Sequence, residues 1–359
     1  MGKPVTFVTL PQRLRVMSKP ILVLKFGSAA ITKANGELNP LVMVEIARQV
    51  AQLYTEYHLV IVSSGAVAAG KQYIRDYAGE ITQRKAAAAI GNLLLLNKYA
   101  QFFSPYDIPV AQSLCERGHF ANRDQFLQMK DTFQELWKNG IIPIVNENDV
   151  VSSHELKFSD NDELATLIAV GFGADTLMLC TSVGGLLDDK GIVIPSVSQV
   201  NDVFQYVRSD KSSVGLGGMT SKLTFAKLAT RMGIRTIIFG MNEPDGILRA
   251  FKEETGTVFA SQENAISARN RWLGSGSLVA GRIIIDSGAG QALQNRKSLL
   301  AVGIKNVEGD FEAGEVVEIL DVNNTLLAVA KARESSIVIS QNLKTQNFEV
   351  ANANDIVLL

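Results

Sequence analysis

The sequence predicts an α/β protein with an open, mostly parallel sheet sandwiched by helices, followed by a small C-terminal β-barrel. Three observations carry this. Short β-rich apolar runs alternate with longer helical patterns from residue 21 to about residue 250. The runs are apolar without strict alternation, as strands buried on both faces by crossover helices are. Beyond residue 276 the long helical patterns stop and only short strands separated by turn residues remain.

The strands of the first part are read at 21–26 (ILVLKF), 58–63 (HLVIVS), 108–115 (IPVAQSLC), 141–146 (IIPIVN), 176–180 (TLMLC) and 236–240 (TIIFG). Between them, residues 40–56 and 122–138 space their apolar positions as amphipathic helices do. Residues 83–103, with AAAAIGNLLLL, are apolar enough for a core or subunit-interface helix. A polar stretch at 252–276, ending in GSGS, places a boundary near Ser275. The tail strands are expected at VAGRIII, EVVEIL, LLAVAKA and IVLL. The domain reading is an N-terminal extension at 1–19, a catalytic domain at 20–262 and a β domain at 276–359. Residues 1–20 hold Lys3, Arg13, Arg15 and Lys19 without an acid, and MGKPVT fits a loose N-myristoylation pattern. One serine and no clear amphipathic face favour a disordered extension, with Met17 as a candidate start.

Composition narrows the function. With 47% hydrophobic and 20% charged residues the chain is globular, and a net charge of -1 gives no field for holding RNA or DNA. The expected partner is a small molecule. Cys115 and Cys180 stand far apart in apolar stretches, as buried free thiols of a reducing, cytoplasmic compartment do. No apolar run approaches the roughly 18–20 residues that span a bilayer. His58, His119 and His154 are scattered, which argues against zinc. No Ser-His-Asp pattern or GxSxG is present, and GLGGMT lacks the strand before it and the later acid of a dinucleotide fold.

Four stretches at the C-terminal ends of predicted strands, where open parallel sheets bind ligands, carry the chemistry. In LKFGSA, Lys25 closes a strand before Gly27 and Ser28. It can aim its ammonium at phosphate beside the turn's N–H groups, or it can simply snorkel. In VSSGAVAAG, Ser63, Ser64 and Gly65 open a helix whose N-terminus favours an anion; a plain serine cap is the other reading. The third stretch gathers Asn146, Glu147, Asn148 and Asp149, then Asp160, Asn161, Asp162 and Glu163, across an interposed hairpin VVSSHELKF. A clamp for a substrate amino group is favoured there over a cation site, with helix capping close behind. In VGLGGMTSKLTFAKLA (214–229), a glycine-rich turn enters a helix carrying Lys222. It has the ingredients of a P-loop without its order, and suits terminal phosphates or is a structural turn.

KFGS, SSGA, NENDVV, SDNDELA and GGMTSK, in that order on a parallel α/β pattern, resemble the amino acid kinase family over nearly all of residues 20–335. GRIIIDSGAGQAL and SLLAVGIKNVEGDFEAGEVVEI resemble a PUA domain. The branch resembled begins proline synthesis by ATP-dependent phosphorylation of the γ-carboxylate of L-glutamate to L-glutamyl 5-phosphate. The resemblance implies catalytic roles for Lys25, Lys222, Asp162, Gly27 and Gly65, and glutamate binding by Ser64, Asp149 and Asn161. It implies ATP binding by Lys25, Thr181, Ser182 and the loop Leu216, Gly217, Gly218, Met219, Thr220, Ser221 and Lys222. It also implies Mg²⁺ as cofactor and proline as feedback inhibitor, while the apolar helix at 86–96 points to a homo-oligomer. Two departures fall on the nucleotide side: Thr181-Ser182 stands where the family has Thr-Asp, and Leu216 where it has Thr. Another acceptor, such as aspartate or an N-acylated amino acid, is the alternative within the family. An RNA-binding role for the tail is opposed by its charge, 7 basic against 10 acidic residues over 276–359.

Overall fold

The protein is described by a computed structural model covering residues 19–358, apart from 34, 122, 152–160, 199, 207–217, 262–278, 310, 312 and 315. The 1–18 part of the expected extension, the hairpin after Val151, the boundary at Ser275, and Leu216 and Gly217 lie outside the described residues.

Eight strands form one sheet: β1 (Ile21–Phe26), β2 (His58–Ser63), β3 (Val110–Cys115), β4 (Ile142–Glu147), β5 (Thr176–Thr181), β6 (Ser196–Val197), β7 (Arg235–Gly240) and β8 (Thr257–Phe259). Their order is β3-β4-β2-β1-β5-β7-β8-β6, and every pair is parallel except β7–β8. β3 opens at Val110 rather than 108, because Pro109 has no N–H for the ladder; its carbonyl instead accepts from Ile142 N at 3.0 Å. β6 and β8 are too short to leave a pattern in the sequence. β8 lies inside the polar stretch read as a break, where buried Thr257 accepts from Leu186 N at 2.8 Å.

The helices are α1 (Ser28–Ile31), α2 (Pro40–Leu53), α3 (Ala66–Gly70), α4 (Ile81–Phe103), α5 (Arg117–Ala121), α6 (Arg123–Lys138), α7 (Asn161–Phe172), α8 (Met219–Arg231) and α9 (Gly246–Phe251). α2 begins as capping rules dictate: Asn39 accepts from Leu41 N at 3.2 Å and Pro40 fills the first position. Side chains of a strand alternate between faces, so each strand feeds two cores. Leu22, Leu24 and Phe26 pack with Met43 and Ile46 of α2 and Leu95 and Tyr99 of α4. Val23, Val60, Val62 and Leu177 pack on the other face with Phe133 of α6, Leu164 and Ile168 of α7, and Leu223 of α8. Lys25 stands two residues after Val23 and so faces α7 and α8.

α4 is the helix foreseen from AAAAIGNLLLL. Its Ala87, Ala88, Gly91, Asn92, Leu95, Tyr99 and Phe103 are buried while Leu93 remains exposed, so only one side of the run is core. It approaches α3 with backbone touching backbone: a Cβ on Gly91 would lie 1.7 Å from Ala66 O, and one on Gly70 1.9 Å from Ala87 O. Only glycine permits that contact, which seats the turn before α3 against α4.

The C-terminal part holds a separate five-stranded mixed sheet of residues 279–285, 304–308, 316–320, 326–331 and 356–358, and a two-stranded ribbon of 299–300 with 349–351. Short helices at Ser287–Gln294 and Ser336–Gln341 and the strand at 304–308 were not legible among the turn residues. Val316 and Val329 join the buried cluster of the catalytic part, so the tail packs on it. Cys115 and Cys180 are buried free thiols; burial pushes them up to about 11 and about 12, despite Ser113 at the first and the lysine charges at the second, and both stay neutral.

Candidate active site

β1 sits where the chain's winding reverses, with β2 on one side and β5 on the other. Loops leaving adjacent strands in opposite directions open a crevice at such a switch point. Lys25 ends β1 there, buried to 4% exposure, with its Nζ 2.6 Å from Asp162 Oδ1. Lys222, in the first turn of α8 and 5% exposed, places its Nζ 2.7 Å from Asp162 Oδ2. Asp162 is fully buried in the first turn of α7, where the helix dipole also favours a carboxylate. Burial works to raise its carboxyl, but the charges and hydrogen bonds of Lys25 and Lys222 outweigh it and hold the group below the usual carboxylate range. Two ammonium groups on one carboxylate leave this trio with a net positive charge, suited to a dianionic phosphoryl group in transit.

Gly27 borders the trio, and a Cβ there would lie 3.5 Å from Lys25 Nζ. Gly65 caps α3 with φ +102°, a left-handed conformation that costs any other residue strain, and an added Cβ would press Ile31 Cδ1 at 3.1 Å. The turn is tied to β1 by Ser64 N donating to Phe26 O at 2.9 Å. Ser63 is buried and accepts from Tyr99 Oη of α4 at 2.9 Å.

Beside the trio, Asn161 Nδ2 donates to Ser64 Oγ at 2.8 Å and to Asn146 Oδ1 at 2.9 Å. Ser64, as acceptor, keeps its own proton to give to an anion. Asn161 Oδ1 is buried with no hydrogen-bond partner among the described residues, which fits an incoming cation. A hydroxyl donor next to an amide acceptor matches the carboxylate and ammonium of an α-amino acid. Asp149 lies half-buried in the turn after β4, held by Asn148 N donating to Cys115 O at 2.8 Å; the contacts joining Ser64, Asn146 and Asn161 do not include it. Thr181 ends β5, on the other side of β1, and Ser182 opens the turn after it, where Asn242 Nδ2 donates to Ser182 O at 2.6 Å. Gly218 caps α8, followed by Met219, Thr220 and Ser221 in the turn that carries Lys222.

The structure therefore unites Lys25, Asp162, Lys222 and Gly27 in one cluster and Ser64 and Asn161 in a second, joined through the neighbouring residues Asn161 and Asp162. It bonds Asn146, one of the amides of the stretch read as an amino-group clamp, to Asn161, and adds Tyr99 and Asn92, which were not assigned roles from sequence. A lone asparagine inside an apolar helical run was the signal for Asn92, since a buried amide requires a partner.

A switch-point crevice with two buried ammonium groups held on one carboxylate suits a phosphotransferase, and the chain belongs to the amino acid kinase family, whose profile matches residues 20–240. A PUA domain profile matches residues 281–344. The chain is similar to the glutamate 5-kinase of Haemophilus influenzae strain PittEE, at 38% identity over 89% of this chain and 90% of that one. It is similar to the glutamate 5-kinase of Kosmotoga olearia at 39% identity over 85% and 86%. That of Photorhabdus laumondii is 39% identical over 89% and 90%. The fold is shared with the carbamate kinase from Giardia lamblia bound to AMP-PNP, with a TM-score of 0.50 at 15% identity over 68% of this chain and 99% of that chain.

Proposed function

We propose that the protein transfers the γ-phosphoryl group of ATP to the γ-carboxylate of L-glutamate, giving L-glutamyl 5-phosphate and ADP, the first step of proline biosynthesis. The observation that carries this reading is the Lys25–Asp162–Lys222 cluster adjoining the Ser64–Asn161 pair. The substrate carboxylate is already a nucleophile at neutral pH, so attack on the γ-phosphorus in line with the ADP leaving group needs no general base. Catalysis then consists of alignment and charge neutralisation. Lys25 and Lys222 take the charge spreading over the transferring group, and Asp162 holds both ammonium groups in place. The N–H groups of Gly27 and Gly65 add hydrogen bonds. Thr181, Ser182 and the loop from Leu216 to Lys222 are assigned to binding the nucleotide.

Among the described residues no cluster of three or more His, Cys, Asp or Glu could hold a metal, and Asp162 is committed to its lysines. The described residues thus do not build a Mg²⁺ cage. The ion belongs with the nucleotide phosphates, where it keeps most of its waters.

The direct test is a hydroxamate trap with ATP and glutamate, aspartate or N-acetylglutamate as acceptor, with and without proline as the expected feedback inhibitor. Turnover of aspartate or N-acetylglutamate in preference to glutamate would refute the substrate assignment. Asn161→Ala and Asp149→Asn are expected to raise the glutamate KM by about tenfold or more, the loss of a hydrogen bond to a charged group, and to leave the ATP KM nearly unchanged. Steady-state kinetics with each substrate varied reads both terms, and a shift confined to ATP counts against the clamp.

The division at 262–276 predicts that residues 17–275 fold and phosphorylate glutamate alone, since the assigned chemistry lies before Gly240. Loss of the apolar contact at Val316 and Val329 is expected to lower the melting temperature without abolishing turnover. A truncated chain that is folded by circular dichroism and inactive would show that the tail completes the site.

A further inference from the structure

Asn92 stands on α4, away from every loop that carries the site, between Gly91 and Leu93 and on the same buried face as Ala88, Leu95 and Tyr99. It is 5% exposed. Its Oδ1 accepts from Asn146 Nδ2 at 2.9 Å, Asn146 Oδ1 accepts from Asn161 Nδ2 at 2.9 Å, and the same Nδ2 reaches Ser64 Oγ at 2.8 Å. Three primary amides and a hydroxyl thus form one directional chain from the core helix to the substrate pair. Its far end offers the helix little, because Asn92 Nδ2 is buried with no partner among the described residues. An apolar side chain would serve packing better there.

The geometry points to Asn92 as a positioning residue that sets the polarity of the substrate clamp. Each primary amide has one accepting and one donating side, so the orientation of one dictates the next. With Asn92 accepting, Asn146 presents its oxygen to Asn161. Asn161 then turns its NH₂ inward and its Oδ1 outward, and Ser64 keeps its proton for the substrate. Were the chain reversed, Asn161 would present NH₂ to the ammonium of the amino acid and Ser64 would spend its proton on Asn161. Both contacts to an α-amino acid would then be mismatched. Asn92 works through Asn146 and Asn161 and touches neither substrate. The inference rests on the proposed glutamate site, and specifies what lets that site tell an ammonium from an anion.

Two variants of the full chain separate this role from plain packing. Asn92→Asp keeps the shape and can only accept when ionised, so it holds the chain in the observed direction. Asn92→Leu fills similar space and removes the acceptor, stranding Asn146 Nδ2. In steady-state kinetics with glutamate and ATP varied in turn, Asn92→Leu is expected to raise the glutamate KM about ten- to a hundredfold, with the ATP KM within about twofold. Asn92→Asp is expected to stay within about threefold of the parent on both. A role in packing alone would lower the melting temperature of the leucine variant and leave the KM for glutamate in place. The inference is overturned if folded Asn92→Leu keeps a near-parental glutamate KM, or if Asn92→Asp loses as much as leucine does. Should leucine prevent folding, Asn92→Ala carries the same test; failure of both to fold would make Asn92 a residue of the core and overturn the role. Should the parent chain itself not turn over glutamate, the substrate reading falls rather than the relay, and titration of glutamate binding by calorimetry distinguishes the two.

Discussion

Replacing Lys222 or Lys25 with alanine is expected to lower kcat by about a hundred- to a thousandfold while changing the glutamate KM little. Both ammonium groups are buried on Asp162, and in the reaction they face a phosphoryl group whose charge is redistributed only as it moves between oxygens. Removing one such donor typically costs about 3–4 kcal/mol of transition-state stabilisation. Methionine at either position fills nearly the same space without charge, so a loss shared by alanine and methionine isolates the charge from the packing. Steady-state turnover with both substrates saturating is the measurement. Near-normal kcat in either lysine variant would remove that lysine from the catalytic assignment.

Asp162→Asn should have the second large effect, and on two properties at once. The amide leaves two buried ammonium groups facing each other without a counter-charge, and breaking a buried pair in this way typically costs about 3–5 kcal/mol of stability. Turnover should fall with it, since Lys25 and Lys222 lose the anchor that orients them. The stability difference also has a predictable pH dependence. The folded-state pKa of Asp162 lies below its unfolded value, burial being outweighed by the two lysines. The contribution is therefore complete above the unfolded pKa and is lost as pH falls through the folded one. Denaturant midpoints of the parent and Asp162→Asn should differ most near neutrality and converge in acid. A gap independent of pH would mean that the carboxylate's charge is not what stabilises the fold.

Much of this was legible in the chain. Strands β1, β2, β5 and β7 are apolar runs buried on both faces, and such runs stand out against the polar loops that follow them. Lys25, Ser64, Asp162 and Lys222 could each be picked out, because small and charged residues at strand and helix ends break those runs. The motif resemblance supplied their roles; spacing alone left snorkelling, capping and structural turns as competing readings. Strand β6, at the edge of the sheet, and its neighbour β8 escaped because two or three residues carry no periodicity. The helices of the tail escaped because each is about two turns or less among turn-forming residues.

The sequence by itself determined which residues could bear charge or turn the backbone, and the order in which they leave the sheet, since these are local properties of side chain and φ. Only the tertiary structure decided which of them meet. Lys25 reaches Asp162 and Lys222 because strand alternation turns it to the face covered by α7 and α8, across sequence separations that no local pattern records. Asn92 joins the site because glycines 70 and 91 let α3 and α4 touch along their backbones, carrying an asparagine from an apolar helix to within hydrogen-bonding distance of Asn146. Hydrogen bonds and ion pairs act over about 3 Å, so their partners are set by packing between elements rather than by position along the chain.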